Sequence, residues 1–261
     1  MKRTALVLGL LLSLALSYGA SCGKKKECRN PNFVEAMKEQ AKLFYKKGNY
    51  IQALKAAREA EECEPDDAEL YYWIGLIYYQ RGKTYDAVEY FKKSLEIDPE
   101  YSDSNMALGM VYLELGRYDE AIENFKAVTN DDLFERPWTA YNNLGYAYMK
   151  KKDYSNAEFY FKKAIKTNKN FCVAYCNLGE LYSLKGDRNK AIDNLKKAVS
   201  LCPEGYARPR FLLAIEYGEL KMYSKACGQL YRASKVENAP EAQRIDKYMR
   251  LYNCSSAVTS P

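Results

Sequence analysis

The sequence predicts an all-α solenoid of six helical hairpins, and three observations predict it. A block spaced Tyr-x2-apolar-Gly-x2-Tyr recurs at Tyr71–Tyr78, Tyr141–Tyr148 and Tyr175–Tyr182. Nine residues after each block stands an alanine (Ala87, Ala157, Ala191), and four further on a large apolar side chain (Phe91, Phe161, Leu195). Pro65, Pro99 and Pro203 close three of the units at matching places. Self-similarity at a fixed period of roughly 20–50 residues is the signature of a stacked array, in which one unit cannot bury its own apolar face.

The units begin near Val34, Ala68, Ser102, Trp138, Cys172 and Ala207, at spacings of 34, 34, 36, 34 and 35. The two longer steps place short insertions at Asn130–Pro137 and around Gly205–Tyr206. Each unit reads as two amphipathic helices joined by a glycine turn, as at Lys47-Gly48-Asn49, Arg81-Gly82-Lys83 and Lys185-Gly186-Asp187. A small residue eight places in (Gly75, Gly109, Gly145, Gly179) lets the two helices approach. The alanine twenty places in (Ala53, Ala87, Ala121, Ala157, Ala191, Ala226) does the same from the other side. Tyr78, Tyr112, Tyr148, Tyr182 and Tyr217 share a packing place and read as core. Glu241–Asn253 is a further helical stretch that caps the last hairpin, and Ser255–Pro261 reads as a disordered tail.

This register resembles the tetratricopeptide repeat over about residues 34–240. The resemblance implies a right-handed superhelix whose first helices line an inner, concave groove. Carried onto this sequence, the groove places hold Tyr72, Trp73, Leu76 and Tyr79 in the second unit. The third offers Met106, Met110 and Leu113, and the fourth Asn142, Asn143 and Tyr146. Asn177 follows in the fifth and Phe211 in the sixth. Methionine and aromatics suit an adaptable groove for an amphipathic helix or an extended peptide. The amides of Asn142, Asn143 and Asn177 are expected to hold a peptide backbone. The lysines and arginines of a carboxylate clamp are missing from the central units, where only Arg208 fits.

Before the repeats comes a leader. Lys2 and Arg3 start it, Ala5–Leu16 is an apolar run too short to span a bilayer, and Gly19-Ala20-Ser21-Cys22 follows. This resembles a bacterial lipoprotein signal, with Cys22 as the acylated residue. Gly23, where inner-membrane retention uses Asp, points to the outer membrane. Ordinary cleavage near Ser21, leaving a soluble periplasmic protein, is the alternative. The expected organisation is a lipoprotein-type signal over 1–21, a lipidated linker over 22–33, repeats over 34–240, a cap over 241–254 and a tail over 255–261.

Eight cysteines in an exported chain suggest disulfides. Antiparallel helices bring the start of one beside the end of the next. That pairs Cys28 with Cys63, Cys172 with Cys202 and Cys227 with Cys254; Cys176 with Cys202 stays open as an alternative.

The chain has no histidine, so no imidazole general base, shuttle or metal ligand exists. Cys172-x3-Cys176 lacks the spacing of a thiol oxidoreductase, and no zinc-ligand pattern occurs. The net charge is +6, or about +4 without Lys2 and Arg3, and the charges are interspersed rather than gathered on a basic face for nucleic acid. A protein-binding scaffold is expected, with no cofactor, no metal and no enzymatic activity.

A closer resemblance rests on Asp132-Leu133-Phe134-Glu135-Arg136-Pro137-Trp138-Thr139-Ala140-Tyr141-Asn142-Asn143-Leu144-Gly145, together with Asn170–Tyr175 and Leu201-Cys202-Pro203. These are similar to the type IV pilus biogenesis and stability lipoproteins, the secretin pilotins of the PilF, PilW and Tgl kind. The resemblance implies an outer-membrane lipoprotein, anchored through Cys22, that binds the secretin subunit and promotes its assembly. The early-repeat residues Tyr72, Trp73, Leu76, Tyr79, Met106 and Met110 would make the contacts. A scaffold for another envelope complex, in polysaccharide export or cell-wall assembly, is the alternative.

Overall fold

A computed structural model describes Cys28, Asn30 and residues 32–254. The expected leader, the acylation site Cys22, most of the 22–33 linker and the 255–261 tail lie outside the described residues. Among the described residues there are thirteen helices and no strand.

Ten helices pair as antiparallel hairpins. These are α1 (Phe33–Lys46) with α2 (Tyr50–Glu61), and α3 (Ala68–Gln80) with α4 (Thr84–Ile97). Further along come α7 (Pro137–Lys150) with α8 (Tyr154–Thr167), α9 (Cys172–Leu184) with α10 (Arg188–Leu201), and α11 (Arg208–Glu219) with α12 (Tyr223–Ser234). Between them, α5 (Ser102–Glu114) and α6 (Tyr118–Thr129) continue the alternation, and α13 (Ala242–Leu251) follows the last pair. The chain forms two compact units, with the break after Val111, inside α5.

The turns show why the helices stop where they do. Gly48, Gly82, Gly116 and Gly186 adopt φ between +72° and +78°. A left-handed residue there ends a helix, and glycine takes it without steric cost. The fourth and sixth hairpins place Lys152 (φ 65°) and Lys221 (φ 59°) in the same conformation. Several second helices then start on a side-chain cap: Asn49 accepts from the Gln52 amide, Asp153 from Asn156, and Asp187 from Lys190.

Within a hairpin, the small residues set the approach. A Cβ at Gly75 would stand 2.6 Å from the Phe91 ring, and one at Gly145 2.8 Å from Phe161. Glycine therefore lets each ring lie on the helix backbone. Ala53, Ala87, Ala121, Ala157, Ala191 and Ala226 are wholly buried, as are Phe91, Phe125, Phe161, Leu195 and Leu230 four residues later. Each such large side chain contributes about 1.5–3 kcal/mol of burial.

Disulfides tie Cys28 to Cys63, Cys172 to Cys202 and Cys227 to Cys254, with Cα atoms 5.2, 5.3 and 5.2 Å apart. Cys172 opens α9 and Cys202 caps α10, so that bridge closes the two ends of one hairpin. Cys176, one turn further along α9, remains a thiol with no exposed surface. Burial pushes it up to about 12.

The last helix covers the end of the array. Ile245 is buried, Tyr248 meets Phe211 edge-on at 5.8 Å, and the Arg244 guanidinium lies 4.6 Å from the Phe211 ring centre. Cys254 then fastens the segment after α13 to α12.

Candidate functional site

In the first unit, α3 carries an unbroken run without a polar face: Leu70-Tyr71-Tyr72-Trp73-Ile74-Gly75-Leu76-Ile77-Tyr78-Tyr79. Leu70, Ile74 and Ile77 are wholly enclosed. Tyr72, Trp73, Leu76 and Tyr79 stay half-buried, so an apolar surface remains after the core is satisfied. A helix in an ordinary packed domain turns a polar face outward; this one does not.

The rings of that surface are linked. Tyr50 meets Tyr45 at 5.7 Å, Tyr45 meets Trp73 at 5.5 Å, Trp73 meets Tyr72 at 5.6 Å, and Tyr72 meets Tyr101 at 5.8 Å between centres. Most of these contacts are tilted or edge-on, the favoured geometry, worth about 0.5–1.5 kcal/mol per pair beyond area. The chain of rings runs from the α1–α2 turn across α3 to the residue before α5. On α5, Met106 is half-buried and Met110 is 47 % exposed.

A polar edge flanks the rings. Lys38 Nζ lies 2.7 Å from Asp67 and 3.0 Å from Glu69, and Lys42 Nζ 2.8 Å from Glu69. Asp67 is also the N-cap of α3, accepting from the Leu70 amide. Burial alone would raise the Glu69 carboxyl, but hydrogen bonds from Lys42 and Lys38 overcome it and hold the group at about 2. The Trp73 indole N–H donates to the Oε1 that Lys42 also holds, at 3.4 Å, with Lys42 5.9 Å from the ring centre. The network orients Trp73 and charges one border of the apolar surface.

In the second unit the expected groove residues have different fates. Leu113, Asn143 and Tyr146 are half-buried, and Lys150 sits 5.0 Å over the Tyr146 ring. Asn142 and Asn177 are buried and bonded to each other at 2.9 Å, and Asn142 also donates to Asn143 at 3.3 Å. Donors of both amides are thus spent within the protein, while Asn177 Oδ1 is buried without a partner. Phe211 is fully enclosed, because Tyr248 and Arg244 of α13 occupy the space the groove reading gave to a partner.

The sequence reading did not single out Tyr45, Tyr101, Lys38, Lys42 or Glu69. The register holds one signal for them: Tyr45 falls 34 residues before Tyr79, at the same repeat place.

Family profiles described as tetratricopeptide repeat match residues 38–102, 78–144, 138–171 and 173–204. The hairpins are tetratricopeptide repeats. Solved tetratricopeptide arrays align along most of the chain. PilF of Pseudomonas aeruginosa is 18 % identical, covering 87 % of this chain and 99 % of its own, with a TM-score of 0.70. PilW, described as a widely conserved type IV pilus biogenesis factor, is 21 % identical, covering 81 % and 97 %, with a TM-score of 0.71. A tetratricopeptide repeat protein of Parabacteroides merdae is 17 % identical, covering 89 % of each chain, with a TM-score of 0.67. At these identities the likeness establishes the fold. No curated protein matches the sequence significantly. Tetratricopeptide arrays bind proteins, and the function of this chain is that of a protein-binding scaffold.

Proposed function

We propose that this scaffold is a pilotin: an exported lipoprotein, acylated at Cys22 and held at the outer membrane, that receives a secretin subunit and promotes its assembly. The observation that carries the reading is the ring-linked apolar surface of the first unit. Exposed contiguous apolar area usually marks a binding site. Tyr72, Trp73, Leu76 and Tyr79 on α3, with Met106 and Met110 on α5, would cover an apolar secretin segment until it reaches the membrane. Trp73 is the anchor, because Glu69 fixes the orientation of its indole. Further support comes from the PilW array, described as a type IV pilus biogenesis factor, and from the PilF array of the same fold, which agree with the resemblance already present in the Asp132–Gly145 stretch.

The test is a strain lacking this gene. The secretin loses its heat-stable multimers or stays in the inner membrane, and copies carrying Cys22→Ser or Trp73→Ala fail to restore it. Unchanged multimers and location would overturn the pilotin reading and leave a scaffold for another envelope complex.

A further inference from the structure

The border of the ring-linked surface carries an excess of one sign. Glu35, Glu69 and Asp103 stand in the first turns of α1, α3 and α5, one per repeat and each at the second place of the register. Carboxylates near a helix N-terminus complement its dipole. The fold does not require them there: among the described residues, the first turns of α7, α9 and α11 hold no acid.

The counter-ions on this border fall short. Lys38 reaches Glu35 at 3.7 Å besides Asp67 and Glu69, and Lys42 reaches Glu39 at 2.8 Å besides Glu69. Two ammonium groups thus serve four carboxylates, which leaves two negative charges, with Glu35 and Glu39 at the exposed rim. The rings lie in this field: burial, and then the carboxylates of Asp103, Glu69 and Asp67, raise the Tyr101 hydroxyl. The imbalance extends to the whole first unit. Residues 32–111 carry fifteen Asp and Glu against ten Lys and Arg, a net charge of −5. Residues 112–254 carry eighteen against twenty-four, a net charge of +6. Aromatic faces favour the same partner, because a ring face is negative and attracts a cation. In this unit Arg58 lies 5.0 Å over Tyr90 and Lys83 5.7 Å over Tyr78.

We propose that the partner segment docking on the ring-linked surface is cationic, with lysine or arginine side chains set among its apolar residues. Its apolar residues cover Leu76, Met106 and Met110. Its cations meet the edge formed by Glu35, Glu39, Glu69 and Asp103 and the ring faces beside it. An acidic segment would face like charge along that edge, so the surface selects by sign as well as by hydrophobicity. This inference rests on the docking reading above and deepens it. It adds the charge of the occupant and holds for any partner protein, secretin or other.

The test is fluorescence anisotropy of labelled peptides titrated with the whole chain carrying Cys22→Ser, at low and at high salt. Three peptides share Leu and Phe at helical spacing and differ only in carrying Arg, Gln or Glu at the remaining places. At low salt the arginine peptide is expected to bind about tenfold tighter than the glutamine peptide, with the glutamate peptide weakest. High salt should narrow the gap, since exposed charges are screened. Glu35→Gln with Glu39→Gln cancels the two-charge excess at exposed positions. It should remove most of the gap and leave the affinity for the glutamine peptide unchanged. Glu89→Gln with Glu96→Gln, exposed on α4, changes the net charge equally and should leave the gap in place. Equal binding of the arginine and glutamine peptides, or a gap that the α4 pair narrows as much as the rim pair, would overturn the proposal. In the first case, binding still weakened by Trp73→Ala would leave the docking reading standing; binding of every peptide indifferent to Trp73→Ala would remove both. Dimers in sedimentation that Trp73→Ala abolishes would make a second copy, through its basic second unit, the occupant, and would overturn the choice of a partner protein.

Discussion

Asn177 donates its side-chain amide to Asn142 Oδ1 at 2.9 Å, from α9 to α7, with both residues almost wholly buried. Two neighbouring repeats are thereby joined by a polar contact inside an apolar layer. Asn142→Ala leaves the Asn177 amide without its acceptor and should destabilise the chain by about 1–3 kcal/mol. Replacing both by leucine removes the orphan and should cost less than the single change. Denaturant unfolding of the two variants checks this; a double variant worse than the single by the sum of both effects would contradict the pairing.

The turn residues give a second prediction. Lys152 holds φ 65° where four other repeats use glycine near +75°. A left-handed lysine costs roughly 1–2 kcal/mol, partly offset by the greater chain entropy that glycine loses on folding. Lys152→Gly should therefore stabilise the protein by up to about 1 kcal/mol, seen as a higher melting temperature. A fall in melting temperature would mean that the lysine side chain makes a compensating contact.

How much of this was legible in the sequence follows from what a register encodes. A repeat place fixes which side of a hairpin a residue occupies, so the glycine–phenylalanine approach of Gly75 and Phe91 and the six hairpins could be read directly. It does not tell what closes over that side. Phe211 stood at a groove place, yet α13 lies on it. Asn142 and Asn177 read as amides for a peptide, yet both are buried and Asn177 spends a donor on Asn142, while its own Oδ1 stays without a partner. The ring chain was only half visible, because Tyr45 and Tyr101 join it through contacts between repeats.

The cysteines give a third prediction. Removing the Cys172–Cys202 bridge by Cys202→Ser should cost about 2–4 kcal/mol, the usual contribution of a bridge closing a loop of this order. Cys176 in the native, otherwise oxidised chain should resist a thiol reagent at neutral pH, since burial removes both access and thiolate. Unfolding with disulfides intact, in a Cys22→Ser background, should expose one reactive thiol. Rapid labelling of the native protein would contradict the enclosed position.

The Glu69 network gives a fourth, in acid. The folded carboxyl titrates at about 2, below its ordinary 4.5. A depressed carboxylate contributes stability that is present above the unfolded value and is lost as pH falls through the folded one. The wild-type melting temperature should therefore drop more steeply than that of Glu69→Gln between those two values. Trp73 emission should change over the same range, because its indole N–H contacts the titrating group. Parallel acid curves for the two proteins would show that Glu69 carries no such linkage.

The most direct test of the central claim, that the ring-linked surface of the first unit is where a secretin segment docks, is photocrosslinking in the cell. A benzophenone amino acid is placed at Met110, 47 % exposed on α5, or at Tyr85, 77 % exposed on α4. The account predicts a secretin adduct from position 110, abolished by Trp73→Ala, and none from position 85. An adduct from 85 alone, or one from 110 that survives Trp73→Ala undiminished, would contradict it.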